Sequence, residues 1–155
     1  YRWEDSLEFA VLRFQFSVVN LVQGVMMSTF TKFQEIQAWQ KARELVRKIY
    51  EVTGQGRFAR DFALRDQIRR AAVSIMSNIA EGYGRGGTKE FVQFLSVAKG
   101  SVSEVESQLF VALDQEYLDQ EVFDQLSSLA DETGKMIGGL MKYLRQTKIR
   151  GAKYK

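Results

Sequence analysis

The stretch Arg69-Arg70-Ala71-Ala72-Val73-Ser74-Ile75-Met76-Ser77-Asn78-Ile79-Ala80-Glu81-Gly82-Tyr83-Gly84 decides the fold. Small and apolar side chains fill most of it: Ala71, Ala72, Val73, Ile75, Met76, Ile79 and Ala80. Small side chains let neighbouring helices approach closely, and a mostly apolar circumference describes a helix buried on several sides. The polar residues are confined. Ser74, Ser77, Asn78 and Glu81 stand at i, i+3, i+4 and i+7, which on a helix is one stripe. Gly82, Gly84, Gly86 and Gly87 follow at once and predict the end of the helix. The pattern therefore predicts a central helix whose few polar groups sit in or near an interface.

Outward from that helix the period of three to four persists. Upstream, Ile36, Trp39, Ala42, Leu45, Val46, Ile49 and Tyr50 predict a helix over about residues 34–53, with Lys41, Arg43, Glu44, Arg47 and Lys48 on its other face. Gly54 and Gly56 predict its end, and Gln55 to Arg60 a short basic connection. Asp61 is a plausible N-cap for the central helix, whose inward stripe is Leu64, Ile68, Ala71, Ile75 and Ile79. Downstream, Thr88 opens a third helix with Glu90 in its first turn. Phe91, Phe94, Leu95, Ala98, Val102, Val105, Leu109 and Ala112 carry that helix to about Tyr117. Gly100 within it predicts a close helix contact, since glycine there costs about 1 kcal/mol relative to alanine. Asp119 begins a fourth helix with Val122, Phe123, Leu126, Leu129, Ala130, Thr133, Met136, Ile137, Leu140 and Leu144 inward. No stretch alternates with period two. The expected fold is all-α, an antiparallel up-down-up-down four-helix bundle.

Composition narrows the chemistry. A chain of 155 residues suits one domain with a real core. It has no Cys, hence no disulfide and no thiolate nucleophile, which is compatible with a cytoplasmic location. It has no His, which removes the commonest general base and metal ligand. Neither catalysis nor a metal or other cofactor is expected.

Residues 1–26 read differently. Residues 14–31 carry no charge, but Gln15, Ser17, Asn20, Gln23 and Gly24 make them too polar for a membrane span. Glu4, Asp5 and Glu8 have the wrong sign for a signal peptide. Met26-Met27-Ser28-Thr29 resembles a natural start, which makes residues 1–26 an upstream or added extension outside the fold. The alternative is an amphipathic helix that meets a partner through Phe9, Leu12, Phe16 and Val19. The expected organisation is thus an extension over 1–26, a bundle over 27–148 and a basic tail over 149–155.

Several runs together resemble a known family. They are Trp39-Gln40-Lys41-Ala42, Leu64-Arg65-Asp66-Gln67-Ile68-Arg69-Arg70-Ala71-Ala72-Val73-Ser74-Ile75 and Ser77-Asn78-Ile79-Ala80-Glu81-Gly82. Glu90-Phe91, Phe94-Leu95, Ala98-Lys99-Gly100-Ser101 and Glu104-Val105-Glu106 continue the pattern. Over about Phe33 to Lys148 the chain resembles the bacterial four-helix-bundle proteins encoded by intervening sequences within 23S ribosomal RNA genes, also labelled S23 ribosomal protein. It departs from them at Met76, where many relatives carry Pro, so a straighter helix is expected there. The resemblance implies a homo-oligomer, a ring of five subunits. It also implies kinship with the accessory protein of diversity-generating retroelements, a similar basic barrel that binds nucleic acid and a reverse transcriptase. It offers no catalytic residue to carry over.

Charge bears on RNA or other nucleic acid as a partner. Residues 1–26 hold Arg2 and Arg13 against Glu4, Asp5 and Glu8, so the remainder carries 20 basic and 16 acidic residues, about +4 net. Two clusters stand out: Arg57, Arg60, Arg65, Arg69 and Arg70 around the start of the central helix, and Lys142, Arg145, Lys148, Arg150, Lys153 and Lys155 at the end. Such patches attract phosphates without sequence preference. The plainer alternative is a solvated tail with ordinary surface arginines, and a purely structural scaffold. Arg85, in the glycine-rich Gly82 to Gly87 segment, is a further candidate phosphate contact. That segment lacks the strand and the Lys-Ser/Thr ending of a phosphate loop. Tyr83, Tyr143 and Tyr154 are the only aromatic residues expected beside basic ones. Finally, a hairpin turning near residues 85 and 86 brings Arg70 level with Ser101 and Glu104, which predicts a buried Arg70–Glu104 pair fixing helix register.

Overall fold

The computed structural model describes residues 30–146, and among these every regular element is helical. Four α-helices are present: α1 (Gln37–Thr53), α2 (Phe62–Gly84), α3 (Thr88–Asp114) and α4 (Gln120–Gln146). Short 3-10 turns occupy Phe33–Glu35 and Phe58–Arg60. All four helices belong to one compact unit that begins at Phe33. The 1–26 extension and the 149–155 tail of the sequence reading lie outside the described residues.

Most buried residues fall on the predicted stripes; Ala38, Ala72 and Met141 join them, while Val46, Leu64, Phe94, Leu129, Met136 and Leu140 are only part-buried. Ala38, Ala42, Leu45 and Ile49 line α1; Ile68, Ala71, Ala72, Ile75 and Ile79 line α2. Leu95, Ala98, Val102, Val105 and Leu109 line α3, and Leu126, Ala130, Ile137, Met141 and Leu144 line α4. Each Leu or Ile so buried contributes about 1.5–3 kcal/mol of transfer free energy. The principal contacts join α1 to α2, α2 to α3, α3 to α4 and α4 back to α1. Residue numbers run in opposite senses across two of these seams. Gln67 meets Gln108, Ser74 meets Ser101, and Gly82 meets Phe91 and Phe94. Likewise Phe110 meets Phe123, and Val102 meets Gly134.

The helix boundaries differ from the expected ones for local reasons. Residues 33–35 form a 3-10 turn closed by Ile36 N–H donating to Phe33 O (3.0 Å), and buried Ile36 then turns the chain into α1 at Gln37. α2 starts as predicted: Asp61 Oδ1 accepts the Leu64 N–H at 3.1 Å. It does not end at Gly82, which lies buried inside the helix. A Cβ there would stand 2.9 Å from Phe91 Cδ2 and closer still to Phe94, so this glycine permits close approach of α2 and α3. The turn after α2 uses Gly86, at φ +72°. Gly100, expected at a close contact, instead faces open space.

α3 stops at Asp114 without a glycine. Glu116 takes the left-handed conformation (φ +58°), Glu116 N–H donates to Leu113 O and Tyr117 N–H to Ala112 O, both at 2.9 Å. These two bonds form a Schellman cap with glutamate in the place glycine usually holds. Asp119 Oδ1 then accepts the Val122 N–H (2.8 Å) at the start of α4.

Candidate nucleic-acid interface

The expected Arg70–Glu104 pair does not form. Both side chains are exposed, and among the described residues no ion pair joins them. Glu104 Oε1 instead accepts from Gln108 Nε2 at 3.2 Å. The hydrogen bonds that cross the α2–α3 seam are neutral: Ser74 and Ser101 share a 3.0 Å hydroxyl contact, and Gln108 Nε2 lies 3.5 Å from Gln67 Oε1, while within α2 Asn78 Nδ2 donates to Ser74 O (2.8 Å) and Ser74 Oγ (3.0 Å). Gln108 is 8% exposed, and its Oε1 has no partner. Burying a charged pair costs several kcal/mol per ion in desolvation, whereas hydroxyls and amides set register with less.

The basic candidates fall in separate places. Arg57 and Arg60 are exposed in the α1–α2 connection, and Arg65, Arg69 and Arg70 occupy the first turns of α2. Arg85 follows α2, whose 23 residues separate it from Arg60 by roughly 35 Å. Arg85 is also engaged: its Nη2 donates to Glu81 Oε1 at 2.7 Å, and it lies 5.4 Å from the Phe94 ring centroid. Lys142 and Arg145 are exposed on the last turns of α4. Lys148, Arg150, Lys153 and Lys155 lie outside the described residues.

The first cluster carries an organisation that the sequence conceals. Three of its arginines lie over aromatic rings: Arg57 over Tyr117 (5.5 Å to the centroid), Arg65 over Phe62 (4.7 Å) and Arg69 over Tyr50 (4.4 Å). Phe62 is 64% exposed and Tyr50 is 46% exposed. Tyr50 thus belongs to the surface and not to the core stripe that its spacing predicts. Neighbouring groups hold the arginines. Arg65 donates from Nε to Asp66 Oδ1 (2.9 Å) and from Nη1 to Ala59 O (3.0 Å). Arg69 Nε donates to Thr53 Oγ1 (2.8 Å), and that buried hydroxyl donates on to Ile49 O (2.6 Å). Tyr117 also packs on buried Phe58, with ring centroids 5.2 Å apart. Its hydroxyl donates to Asp61 Oδ2 at 3.1 Å, which holds the phenol above its ordinary pKa.

Only the Phe62–Arg65 stack is accessible to sequence reading, as a neighbouring pair on one helix face. The other two join residues far apart in the chain. Of the aromatic residues expected beside basic ones, Tyr83 stacks edge-on against Phe91 at 6.1 Å, and Tyr154 lies outside the described residues. No cluster of acidic side chains among the described residues is arranged to hold a metal ion, and none of the described helices is long and apolar enough to cross a membrane.

A crystal structure of a protein of unknown function from the S23 ribosomal protein family of Bacteroides thetaiotaomicron superposes with a TM-score of 0.63 at 23% identity. The match covers 68% of this chain and 98% of that one, and at this identity it speaks for the fold. No curated protein matches the chain. The family model described as 23S rRNA-intervening sequence protein matches residues 34–139, which span α1 to α3 and most of α4. The chain belongs to that family.

Proposed function

We propose that this protein is a non-catalytic, cytoplasmic, homo-oligomeric bundle that associates with RNA through the end formed by the α1–α2 connection and the α3–α4 turn. The observation that carries this reading is the set of three Arg–aromatic stacks at that end, two of them on well-exposed rings. Aromatic faces stack bases without regard to sequence, and arginines beside them meet the phosphates. The name of the family supplies a second support, since it refers to intervening sequences of 23S ribosomal RNA.

The opposed numbering across the α2–α3 and α3–α4 seams supports an antiparallel up-down-up-down bundle. That arrangement puts both connections at one end. Exposed Val97, Phe110 and Val111 on α3 support self-association, with five subunits as the resemblance implies. Light scattering at micromolar concentration should give a multiple of the 17.8 kDa chain mass. A monomer would exclude the oligomer.

Binding of purified protein to 23S fragments and to random single-stranded RNA, across a salt series, tests the RNA reading. Phe62→Ala should weaken both about fivefold or more, because one stacked base is worth about 1–3 kcal/mol. Absence of salt-dependent binding to any RNA would defeat the reading and leave a structural scaffold.

A further inference from the structure

Beside the stacked end, the outer face of α2 is concave. A shallow recess of about 520 Å³ opens there, between that face and Tyr50 of α1. Its volume lies within the range of small-molecule sites, about 300–1,000 Å³. Two guanidinium groups line it, those of Arg69 and Arg70, and among the described residues neither is paired with a carboxylate. The acidic group on its wall, Asp66, is already taken by Arg65 Nε at 2.9 Å. Ser74 and Ser77 add hydroxyls on the same side as Arg70, at i+4 and i+7. Ser74 is committed to the α2–α3 seam, while Ser77 is exposed.

The two arginines differ in a way that suits anion capture. Arg69 is fixed: its Nε is bonded to Thr53 Oγ1, and its plane rests on Tyr50. Its two Nη groups keep donors to spare, since guanidinium carries five. Arg70 is exposed and makes no bond among the described residues, so it is free to close over a bound group. A preset fork costs little to order, and arginine pairs bind phosphate oxygens bidentately.

We propose that this recess is a phosphate-binding site that seats one nucleotide phosphate between Arg69 and Arg70, with Ser77 as a further donor. The phosphate belongs to a strand if the RNA reading above holds, on which this source rests; the anion chemistry itself also admits a free nucleotide. In either case the ligand class is a nucleotide bearing an accessible phosphate.

The test uses amide resonances of the full chain, titrated with inorganic phosphate, with adenosine monophosphate and with a short single-stranded RNA. All three should shift the amides of residues 69–77, and Arg70→Gln should weaken each about tenfold, as expected when one charge-assisted hydrogen bond is removed. Arg70 holds nothing in place, so the variant should fold as the parent does; Lys89→Gln, exposed in the first turn of α3, serves as the remote control and should leave phosphate binding unchanged. If phosphate and the mononucleotide bind there but RNA does not, the site stands as a free-nucleotide site and the RNA reading falls. If RNA binds yet Arg70→Gln changes neither its affinity nor its salt dependence, and phosphate leaves residues 69–77 unshifted, the recess is overturned while the RNA reading survives.

Discussion

Gly82 and Phe94 stand so close that a Cβ on the glycine would lie 2.6 Å from the Cβ of the phenylalanine. Real side chains do not approach so closely, so α2 and α3 must move apart to admit one. Gly82→Ala should therefore destabilise the protein by about 1–3 kcal/mol, the usual penalty of overpacking. Gly100→Ala, with nothing near its added methyl, should instead raise the stability of the single subunit by up to about 1 kcal/mol through helix propensity. Urea denaturation of both variants checks the pair. Shifts of the same sign would contradict the close contact at Gly82 or the open space at Gly100.

A second expectation concerns the end of α3. Glu116 sits at φ +58°, where a side chain costs about 1–2 kcal/mol. Glu116→Gly keeps both backbone bonds of the cap and removes that clash, although it frees the unfolded chain. The net effect should be a small gain in melting temperature, and a loss would show that the glutamate side chain has a role beyond the turn.

Polar register across the α2–α3 seam can be dissected. Glu104→Ala should change stability by less than about 0.5 kcal/mol, as for other surface positions. Ser74→Ala and Ser101→Ala should each cost more, and a double-mutant cycle should give a coupling of about 0.5–1.5 kcal/mol. A coupling near zero would mean that the two hydroxyls prefer other partners.

Alkaline pH probes the Asp61–Tyr117 bond. The phenol donates to the carboxylate, so its folded pKa is raised above 10.0, the hydrogen bond being the main cause and desolvation the next. Only the protonated phenol can donate. The stabilisation is complete below about pH 10 and is lost as pH rises through the higher folded value. Tyr117→Phe should remove that alkaline dependence, measured as denaturation midpoint against pH. An unchanged profile would mean that the bond does not form in solution.

Charge at the C-terminus supplies the last test. Replacing Lys148, Arg150, Lys153 and Lys155 with Gln leaves every buried position of the four helices intact. If these residues meet phosphates, the slope of log affinity against log salt should flatten by about 0.7 for each phosphate of a single strand that is no longer neutralised. Equal slopes would confine binding to the α1–α2 end.

Much of this structure can be read from apolar spacing, because burial imposes a period on every helix that has one wet face. Leu45, Ile75, Val105 and Ile137 all declare themselves that way. What spacing hides is the packing of atypical residues. Gly82 reads as a stop, yet it serves as a gap for Phe94; Glu116 reads as ordinary surface, yet it turns the chain. The seam of Ser74, Ser101 and Gln108 reads as polar but not as neutral, since residue level along two helices fixes proximity without fixing which atoms face inward. The candidate interface is the least legible part. Arginine clusters are plain in a sequence, but Tyr50 and Tyr117 reach theirs only through tertiary folding.

Asp61 spends one oxygen on the α2 amide of Leu64 and the other on Tyr117, 56 positions away. With the contacts of Arg57 and Phe58 on Tyr117, this carboxylate ties the two connections at that end together, so that loosening one disturbs the other. In hydrogen-exchange terms, the first turn of α2 and the cap of α3 should open as one unit. Removal of this carboxylate should loosen both at once, and with them the stack of Arg57 on Tyr117.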